Sequence, residues 1–311
     1  MSTTSPPLDE LRALIATHAR PDGGTTIGGL LLSRVEDVEP DHSLAEPLLV
    51  VMAQGGKRLM LGDEVYEYRA GQCLVVTADL PVTGHFLDAS RNHPSLAMGL
   101  VLRPGAIAPL LLEGGAPRRT RRAGRTRRAA VPPSIATGDA SPELLDAVAR
   151  LVRLLDHPAD VPVLAPLIER EILWRLLSGP HGDMIRQIGL PDSNLTHINR
   201  AAQWIRDNYS EPLRVEDLAR LVGMSTSAFH RHFRTITATS PLQFQKRIRL
   251  QEARTLLLAH PHDVAGAGHL VGYDSQSQFT REYRRLFGAP PGRDAARLSA
   301  AADPREGRRL P

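Results

Sequence analysis

The sequence is poor in the residues that mark disulfide-stabilised, zinc-bound and membrane-spanning proteins. Its 311 residues include one cysteine, Cys73, which excludes an internal disulfide and a cysteine-based zinc site. Aromatic residues make up 4% of the chain, and no apolar run approaches the roughly 20 residues of a membrane-spanning helix. Residues Met1 to Pro7 lack the basic start and apolar core of a signal peptide. We therefore expect a cytoplasmic protein, without membrane contact, that folds by side-chain packing.

Positive charge is concentrated in the second half of the chain, although the net charge is only +4. Residues 191–311 hold 18 of the 38 basic residues and 12 of the 34 acidic ones, so 20 basic and 22 acidic residues precede them. A basic half predicts contact with a polyanion. In the other half, the stretch from Arg118 to Arg128 contains seven arginines and no acid. We interpret this cluster as a solvated loop, with nonspecific phosphate contacts as the alternative.

Two domains are expected from the length and from a change of pattern along the chain. Residues 48–102 form short apolar or alternating runs separated by Gly, Asp, Asn and Pro, which favours six or more strands in a small barrel or sandwich. The Gly62-Asp63 pair predicts a tight hairpin with a positive φ at the glycine. Residues 142–156 and 163–177 space apolar residues at three and four positions and are predicted to be amphipathic helices.

The remainder of the chain is predicted to be helical. A linker with a short helix is placed within residues 179–193, where Gly, Pro, His and Asp show little periodicity. Helical periodicity then recurs in six segments between residues 195 and 287. Residues after Ala295 are polar or small and are expected to fray.

An internal repeat about 50 residues apart dominates this helical part. The segment STSAFHRHFR, beginning at Ser225, aligns with SQSQFTREYR, beginning at Ser275. Each follows a shorter helical stretch that ends in Val-Gly. Because a bracing helix, a glycine turn and a second helix make a helix-turn-helix, we predict two such motifs, at about 213–236 and 263–287.

The second helix of each motif divides into an apolar face and a polar face. The apolar faces consist of Phe229, Phe233, Ile236, Phe279, Tyr283 and Leu286. The polar faces consist of Ser227, His230, Arg231, Arg234, Ser277, Thr280, Arg281 and Arg284, with Gln276 and Gln278 beside the second set. Arginine bonds guanine bidentately, glutamine suits adenine and hydroxyls serve either base, so these faces are predicted to read the major groove of double-stranded DNA. A solvated surface is the plainer alternative, but Glu282 is the only acid in either ten-residue segment.

The segment Val215 to Arg293 resembles the double helix-turn-helix domain of the AraC/XylS transcription regulators along its whole length. The resemblance rests on VEDLARLVGMSTSAFHRHFR, the linker SPLQFQKRIRLQEARTLL and the closing GYDSQSQFTREYRRLFGAPPG. It implies base-reading roles for Ser227, His230, Arg231, Gln276, Ser277, Gln278, Thr280 and Arg281. One departure is the presence of Gly266 and Gly268 in the second bracing helix. Because glycine costs about 1 kcal/mol relative to alanine, we expect a looser second module.

The stretch LPVTGHFLDAS, residues 80–90, resembles a subgroup of the same family whose N-terminal domain is a cupin-like barrel. The expected fold is therefore α+β, with an N-terminal cupin-like β-barrel and its following helices, then an all-α double helix-turn-helix domain. We place a sensory or dimerisation domain at residues 1–185 and the DNA-binding domain at 192–296.

No catalytic residue, metal site or cofactor is predicted. Residues 48–102 offer only His85 and His93 as imidazole ligands, and the chain has no nucleophile elbow, phosphate loop or zinc-protease motif. Cys73 stands in an apolar run, which indicates a buried core residue. The alternative is a sensor thiol for an electrophile or oxidant in the effector domain.

Together these patterns predict a sequence-specific DNA-binding transcription regulator rather than an enzyme. The resemblance implies an N-terminal domain that binds an unidentified small-molecule effector or forms a homodimer, and RNA polymerase as a further partner. Two rival functions stay open: a cupin-type enzyme for a small molecule with a DNA-binding appendage, and a nonspecific architectural DNA binder.

Overall fold

The computed structural model describes residues 6–36, 40–113 and 133–302, with side chains up to residue 297. The arginine cluster from Arg118 to Arg128 lies outside these residues, so both of its interpretations stay predictions.

Short antiparallel strands occupy the first part of the chain. They are β1 Leu30–Val35, β2 Asp41–Ala45, β3 Leu48–Gln54, β4 Gly56–Leu61, β5 Glu64–Arg69, β6 Gln72–Val76, β7 Leu80–Leu87, β8 Ser95–Val101 and β9 Ile135–Asp139. The six strands predicted within residues 48–102 are confirmed as β3 to β8. The hairpin between β4 and β5 is confirmed as well, since Gly62 has a φ of 61°.

The strands form two separate sheets rather than one closed barrel, which suits the cupin-like fold predicted from the sequence and its sandwich alternative. One sheet has the order β1-β8-β3-β6-β9 and the other the order β2-β7-β4-β5, and all pairs are antiparallel. Closure requires a hydrogen-bond ladder between edge strands. Among the described residues no such ladder joins an edge of one sheet to an edge of the other. The cupin-like arrangement is therefore an open pair of sheets.

Helices accompany the sheets at both ends of the strand region. They are α1 Pro6–His18, α2 Pro104–Glu113, α3 Pro142–Arg153, α4 Val161–Ser178 and α5 Gly182–Gly189, with a 3₁₀ turn at Leu154–Asp156. The predicted helices at 142–156 and 163–177 and the short helix within 179–193 are confirmed. Helix α1 buries Leu8, Leu11 and Ile15 and packs against α3 and the strands β1, β3 and β8. Strand β8 lies between β1 and β3 and contacts α1, and all its residues except Val101 are buried.

The rest of the described chain is helical, as predicted. The helices are α6 Asn194–Asp207, α7 Val215–Leu221, α8 Thr226–Thr237, α9 Pro241–Ala259, α10 Val264–Leu270, α11 Gln276–Phe287 and α12 Pro291–Ala302. The first six match the predicted segments within two residues. The expected fraying after Ala295 is wrong for residues up to Ala302. Helix α12 is anchored by Asp294, which is fully buried and paired with Arg254 of α9.

The chain divides into two compact units. The first contains residues up to Asn199 together with Arg231–Ala238, and the second contains Arg200–His230 and the residues from Thr239 onward. The division falls within α6, and the domain limits of 185 and 192 stay predictions. Within the described residues, no helix is long and apolar enough to cross a membrane. Nor do three or more His, Cys, Asp or Glu side chains gather there in a way that suits a metal ion.

Candidate DNA interface

The first module consists of α7, a tight turn and α8. Helix α7 buries Val215, Leu218 and Ala219 and ends at a turn in which Gly223 has a φ of 70°. This left-handed backbone conformation favours glycine because glycine has no Cβ to clash with the backbone. The chain then enters α8, where the Ser225 hydroxyl accepts a hydrogen bond from the Ala228 amide at 3.4 Å. The predicted helix, glycine turn and second helix are all present.

The second module repeats these features in α10 and α11. Gly272 in its turn has a φ of 89°, and the Ser275 hydroxyl caps α11 by accepting from the Gln278 amide at 3.4 Å. Both second helices are 12 residues long and begin 50 residues apart. The sequence match of Ser225 with Ser275 thus has a structural cause, since both serines cap a recognition helix.

The apolar faces of α8 and α11 are buried as predicted. Phe229, Phe233, Phe279 and Tyr283 have no exposed surface, and Ile236 is nearly as buried. In the second module the Phe279 ring lies 5.3 Å from the Tyr273 ring and 5.6 Å from the Tyr283 ring, centroid to centroid. Tilted and edge-on aromatic pairs at these distances add to the stabilisation from burial. Leu286, the last member of the face, is only partly buried.

The polar faces point to the surface. Nine of the ten predicted base-reading or DNA-contacting residues are exposed, and Thr280 is half-buried. The exposed ones are Ser227, His230, Arg231, Arg234, Gln276, Ser277, Gln278, Arg281 and Arg284. Within the described part of the chain, none of these four arginines forms an ion pair, so their guanidinium groups are available to phosphates or base edges.

Three of the exposed polar residues already have neighbours within their own module. The hydroxyl of Ser227 lies 3.4 Å from that of Ser225, and the hydroxyl of Ser277 lies 3.0 Å from that of Ser275. The Gln278 amide donates to Glu282 at 3.3 Å. These contacts hold the side chains near the first turn of each helix, where residues of a recognition helix meet base edges.

Glu282, the only acid of the two segments, is turned away from the exposed face. Its carboxylate accepts from Lys246 of α9 at 2.8 Å and from the Tyr273 hydroxyl at 2.8 Å, and its side chain is 15% exposed. Burial alone raises the pKa of Glu282, but hydrogen bonds from Lys246, Tyr273 and Gln278 outweigh it and lower the pKa. The negative charge is therefore compensated inside the module and does not oppose a phosphate backbone.

The two glycines of α10 have local packing roles. The Asp263 side chain caps α10 by accepting from the Gly266 amide at 2.8 Å, and a Cβ on Gly266 would collide with the carboxylate. A Cβ on Gly268 would come within 3.0 Å of the Phe279 ring. Glycine at these two positions thus accommodates a helix cap and a close aromatic contact, while the expectation of a looser second module stays a prediction.

Family comparisons agree with this geometry. The family described as "AraC-type transcriptional regulator N-terminus" matches residues 26–184, which is just over half of the chain. The chain belongs to the AraC family. A helix-turn-helix domain family matches residues 218–297 of this AraC-family chain, which include most of α7 and all helices from α8 to α11.

Curated relatives of this AraC-family protein are named as HTH-type transcriptional regulators or activators. The HTH-type transcriptional regulator ExsA of Pseudomonas aeruginosa is 31% identical over 163 residues, covering 52% of this chain and 57% of ExsA. The HTH-type transcriptional activator RhaS of Salmonella paratyphi A is 28% identical over 160 residues, covering 49% of this chain and 56% of RhaS. The match thus spans somewhat more than half the length of these relatives.

Among solved structures, ToxT of Vibrio cholerae shares the fold of most of the chain. The complex of ToxT with (E)-4-(8-methylnaphthalen-1-yl)but-3-enoic acid has a TM-score of 0.55 at 9% identity and covers 86% of this chain and 98% of ToxT. ToxT bound to an unsaturated fatty acid has a TM-score of 0.51 at 8% identity and covers 86% and 94%. At this identity the likeness shows the AraC-family fold alone.

Cys73 lies in β6, paired with Val51 of β3, and is 3% exposed. Burial raises the pKa of its thiol to about 11, so the thiol stays protonated at neutral pH. Since the thiolate is the reactive form, this environment favours the core role over the sensor thiol.

Sequence reasoning overlooked two arginines of the helix-turn-helix region. Arg285 is exposed on α11, one helical turn after Arg281, and its place beside Arg284 was the available signal. Arg249 of α9 was overlooked because its partners are backbone carbonyls 23 to 40 residues away, which no local pattern reveals.

Proposed function

We propose that the protein is a sequence-specific DNA-binding transcription regulator. The observation that carries the proposal is the pair of 12-residue helices, each with a buried aromatic face and an exposed face of Ser, Gln, His and Arg. Two such helices in repeated helix-turn-helix modules suit two stretches of major groove. The names of ExsA and RhaS support the same class of function.

The base-reading residues are assigned by position on these helices. Ser227, His230 and Arg231 read bases in the first module. In the second module Gln276, Ser277, Gln278, Thr280 and Arg281 do so. Arg234 and Arg284, one turn further along each helix, contact the same site or its phosphates. The DNA-binding domain is placed at residues 192–296, after a domain at 1–185.

The first domain acts in this proposal as the effector and dimerisation domain, and the effector is a small molecule. ToxT, which shares the fold, is known with small molecules bound. The regulator works in the cytoplasm through RNA polymerase, and the proposal includes no catalytic step. A cupin-type enzyme is less supported, since the described residues bring no three His, Cys, Asp or Glu side chains together for a metal.

A homodimer is part of the proposal because α4 exposes an apolar face. Val163 is 67% exposed, Leu167 60% and Trp174 44%, and their spacing of four and seven residues places them on one side of the helix. We expect Leu167→Glu to convert a dimer into a monomer in sedimentation equilibrium at micromolar concentration. A monomeric wild-type protein would remove the dimer from the proposal and leave DNA reading intact.

The deciding experiment is selection of bound sequences from a random double-stranded DNA pool by the purified full-length protein at physiological salt. We expect enrichment of a two-part site whose halves lie about one helical turn apart, roughly 34 Å. A matched variant, Arg231→Ala with Arg281→Ala, should enrich no such site while keeping weak binding at low salt.

Three outcomes separate the candidate functions. A two-part motif supports the regulator. Strong binding at low salt without any motif supports the architectural DNA binder, because phosphate contacts alone are independent of sequence and steeply salt-dependent. Absence of binding at every salt concentration overturns the DNA-binding proposal.

A further inference from the structure

The guanidinium group of Arg249, near the middle of α9, lies where three segments of the second unit meet. Its Nε donates to the Tyr209 carbonyl at 2.6 Å, and its Nη2 donates to the carbonyls of Ser210 and Glu211 at 3.0 and 3.1 Å. Its Nη1 donates to the Gly272 carbonyl at 2.7 Å. One side chain therefore binds four carbonyl oxygens.

These carbonyls come from both halves of the DNA-binding region. Residues 209–211 lie between α6 and α7 and lead the chain into the first module. Gly272 forms the left-handed turn between α10 and α11 in the second module. A Cβ on Gly272 would collide with the Ser210 carbonyl oxygen, so the two backbone segments are already in close contact. Arg249 thus joins the entrance of one module to the turn of the other.

Neighbouring side chains reinforce the same junction. Gln245, one turn before Arg249 on α9, donates to the Tyr209 and Glu211 carbonyls at 3.0 and 2.7 Å. The Arg249 guanidinium lies 6.0 Å from the centre of the Tyr273 ring. Gln245 is buried and Arg249 is partly buried. Because unpaired polar groups cost more free energy when they are buried, loss of these hydrogen bonds is destabilising.

We propose that Arg249 is a positioning residue that sets the spacing at which the two recognition helices read DNA. Only a planar guanidinium supplies donors in the fixed directions that four carbonyls require, whereas a lysine ammonium has three donors on one nitrogen. Loss of this junction frees the second module to move relative to the entrance of the first. Each module then still reads its own half-site, but the distance between half-sites is no longer fixed.

The test rests on the proposed function and uses the two-part site that the full-length wild-type protein selects. Affinity is measured for that duplex and for versions with one base pair inserted or removed between the halves. The wild-type protein should lose about tenfold or more on either change, since one module then loses its base contacts. Arg249→Lys, which keeps the charge, should lose less than about threefold and should select sites with a broadened distribution of spacings.

Arg254→Lys is the matched control. Arg254 is also an arginine of α9, but its guanidinium bonds Asp294 of α12, so it joins α9 to the helix that follows the second module. This variant should lower the melting temperature while keeping the wild-type preference for one spacing. Equal broadening in both variants would show a general loosening of the fold and overturn the specific role of Arg249.

A second variant guards against failure of Arg249→Lys to fold. Gln245→Ala removes two donors to residues 209–211 and leaves the Gly272 bond in place, so a smaller broadening is expected. Unchanged spacing preference in folded Arg249→Lys, or in Gln245→Ala if the first does not fold, refutes the inference. If the wild-type protein selects no site at all, the proposed function has failed instead, and the two failures are distinguishable.

Discussion

The two helix-turn-helix modules differ in the chemistry of one pair of equivalent buried positions. Phe233 of α8 and Phe244 of α9 correspond, 50 residues later, to Tyr283 of α11 and Asp294 of α12, and all four are fully buried. In the first module this pair of positions is apolar. In the second, the Tyr283 hydroxyl donates to the Asp294 carboxylate at 2.9 Å.

The polar pair in the second module, Tyr283 and Asp294, belongs to a larger hydrogen-bond network. Asp294 also accepts from Arg254 at 2.8 Å and from Arg297 at 3.0 Å. A buried network of this kind is stable only while each member has its partners, whereas an apolar pair depends on volume and shape. The same repeat thus accommodates either two apolar residues or a buried hydrogen-bonded network at these positions. Because the network contains a buried carboxylate, we expect the stability of the second module to depend more on a single charge.

The largest expected effect follows from removing that charge. Asp294→Ala leaves the Arg254 guanidinium, which is 19% exposed, beside a buried cavity and should destabilise the second module by about 3 to 5 kcal/mol. Denaturant unfolding followed by circular dichroism measures the change. Tyr283→Phe, which deletes one hydrogen bond and copies the first module, should cost only about 1 kcal/mol. Comparable losses from the two substitutions would contradict the network.

The same residue adds a pH dependence. Burial alone raises the pKa of Asp294, but hydrogen bonds from Arg254, Tyr283 and Arg297 outweigh it and hold the pKa below its usual range. A depressed folded-state pKa stabilises above the unfolded pKa. The stabilisation is therefore complete at neutral pH and is lost as the pH falls below about 4. Asp294→Asn should flatten this acid limb of the stability curve.

The glycine turns offer a second way to separate the modules. Gly223 and Gly272 both have a positive φ, but a Cβ on Gly223 meets open space, whereas one on Gly272 collides with the Ser210 carbonyl and the Arg249 guanidinium. Gly223→Ala should cost about 1 kcal/mol of unfolding free energy for the left-handed backbone alone. Gly272→Ala should cost about 3 kcal/mol, because overpacking is added. Equal losses of stability for Gly223→Ala and Gly272→Ala in thermal unfolding would contradict the close contact between the Gly272 turn and residues 209–211.

Base reading distinguishes the modules on DNA. Arg231→Ala and Arg281→Ala should each weaken binding to the selected site by about 1 to 3 kcal/mol and relax preference at one base position, the two positions lying in different half-sites. Competition binding with single-base variants of the site measures this. Equal losses on selected and random DNA would show that these arginines contact phosphates only.

The smallest effect concerns the residue that ends each recognition helix. Ala238 and Gly288 occupy equivalent positions and have φ values of 56° and 78°. Because alanine is strained in this region, Ala238→Gly should stabilise the protein by up to about 1 kcal/mol, and Gly288→Ala should destabilise it by a similar amount. A stabilising Gly288→Ala in a thermal melt would contradict the equivalence.

Much of the fold was predictable because central strands and packed helices carry strong patterns. Strands β3 to β8 were found from alternation and from glycine and proline breaks. The missed strands β1, β2 and β9 all lie at sheet edges. Edge strands are partly solvated, as the uniformly half-buried residues of β2 show, so their side-chain pattern is weak. The choice between a barrel and a sandwich, which the sequence left open, depends on which edge strands pair, and no single strand carries that information.

The residues of the candidate interface were predictable where they follow from a pattern of neighbouring residues in the sequence. Outward residues such as Arg231 and Arg281 follow from helical spacing and from the repeat. The inward turn of Glu282 depends on Lys246, which is 36 residues away. Helix α12 was overlooked for a similar reason, since its anchor is Arg254, 40 residues before Asp294. Contacts over such separations are tertiary and leave no trace in a sequence window.

The division of α8 and α11 into buried and exposed faces has an evolutionary consequence. Substitutions at exposed positions such as Ser227 or Arg231 change the groups offered to base edges, and substitutions on an exposed surface typically change stability by less than about 0.5 kcal/mol. After gene duplication, one copy can therefore drift toward a new operator without compensating mutations elsewhere. Such a scaffold lets a lineage acquire new target genes through single substitutions.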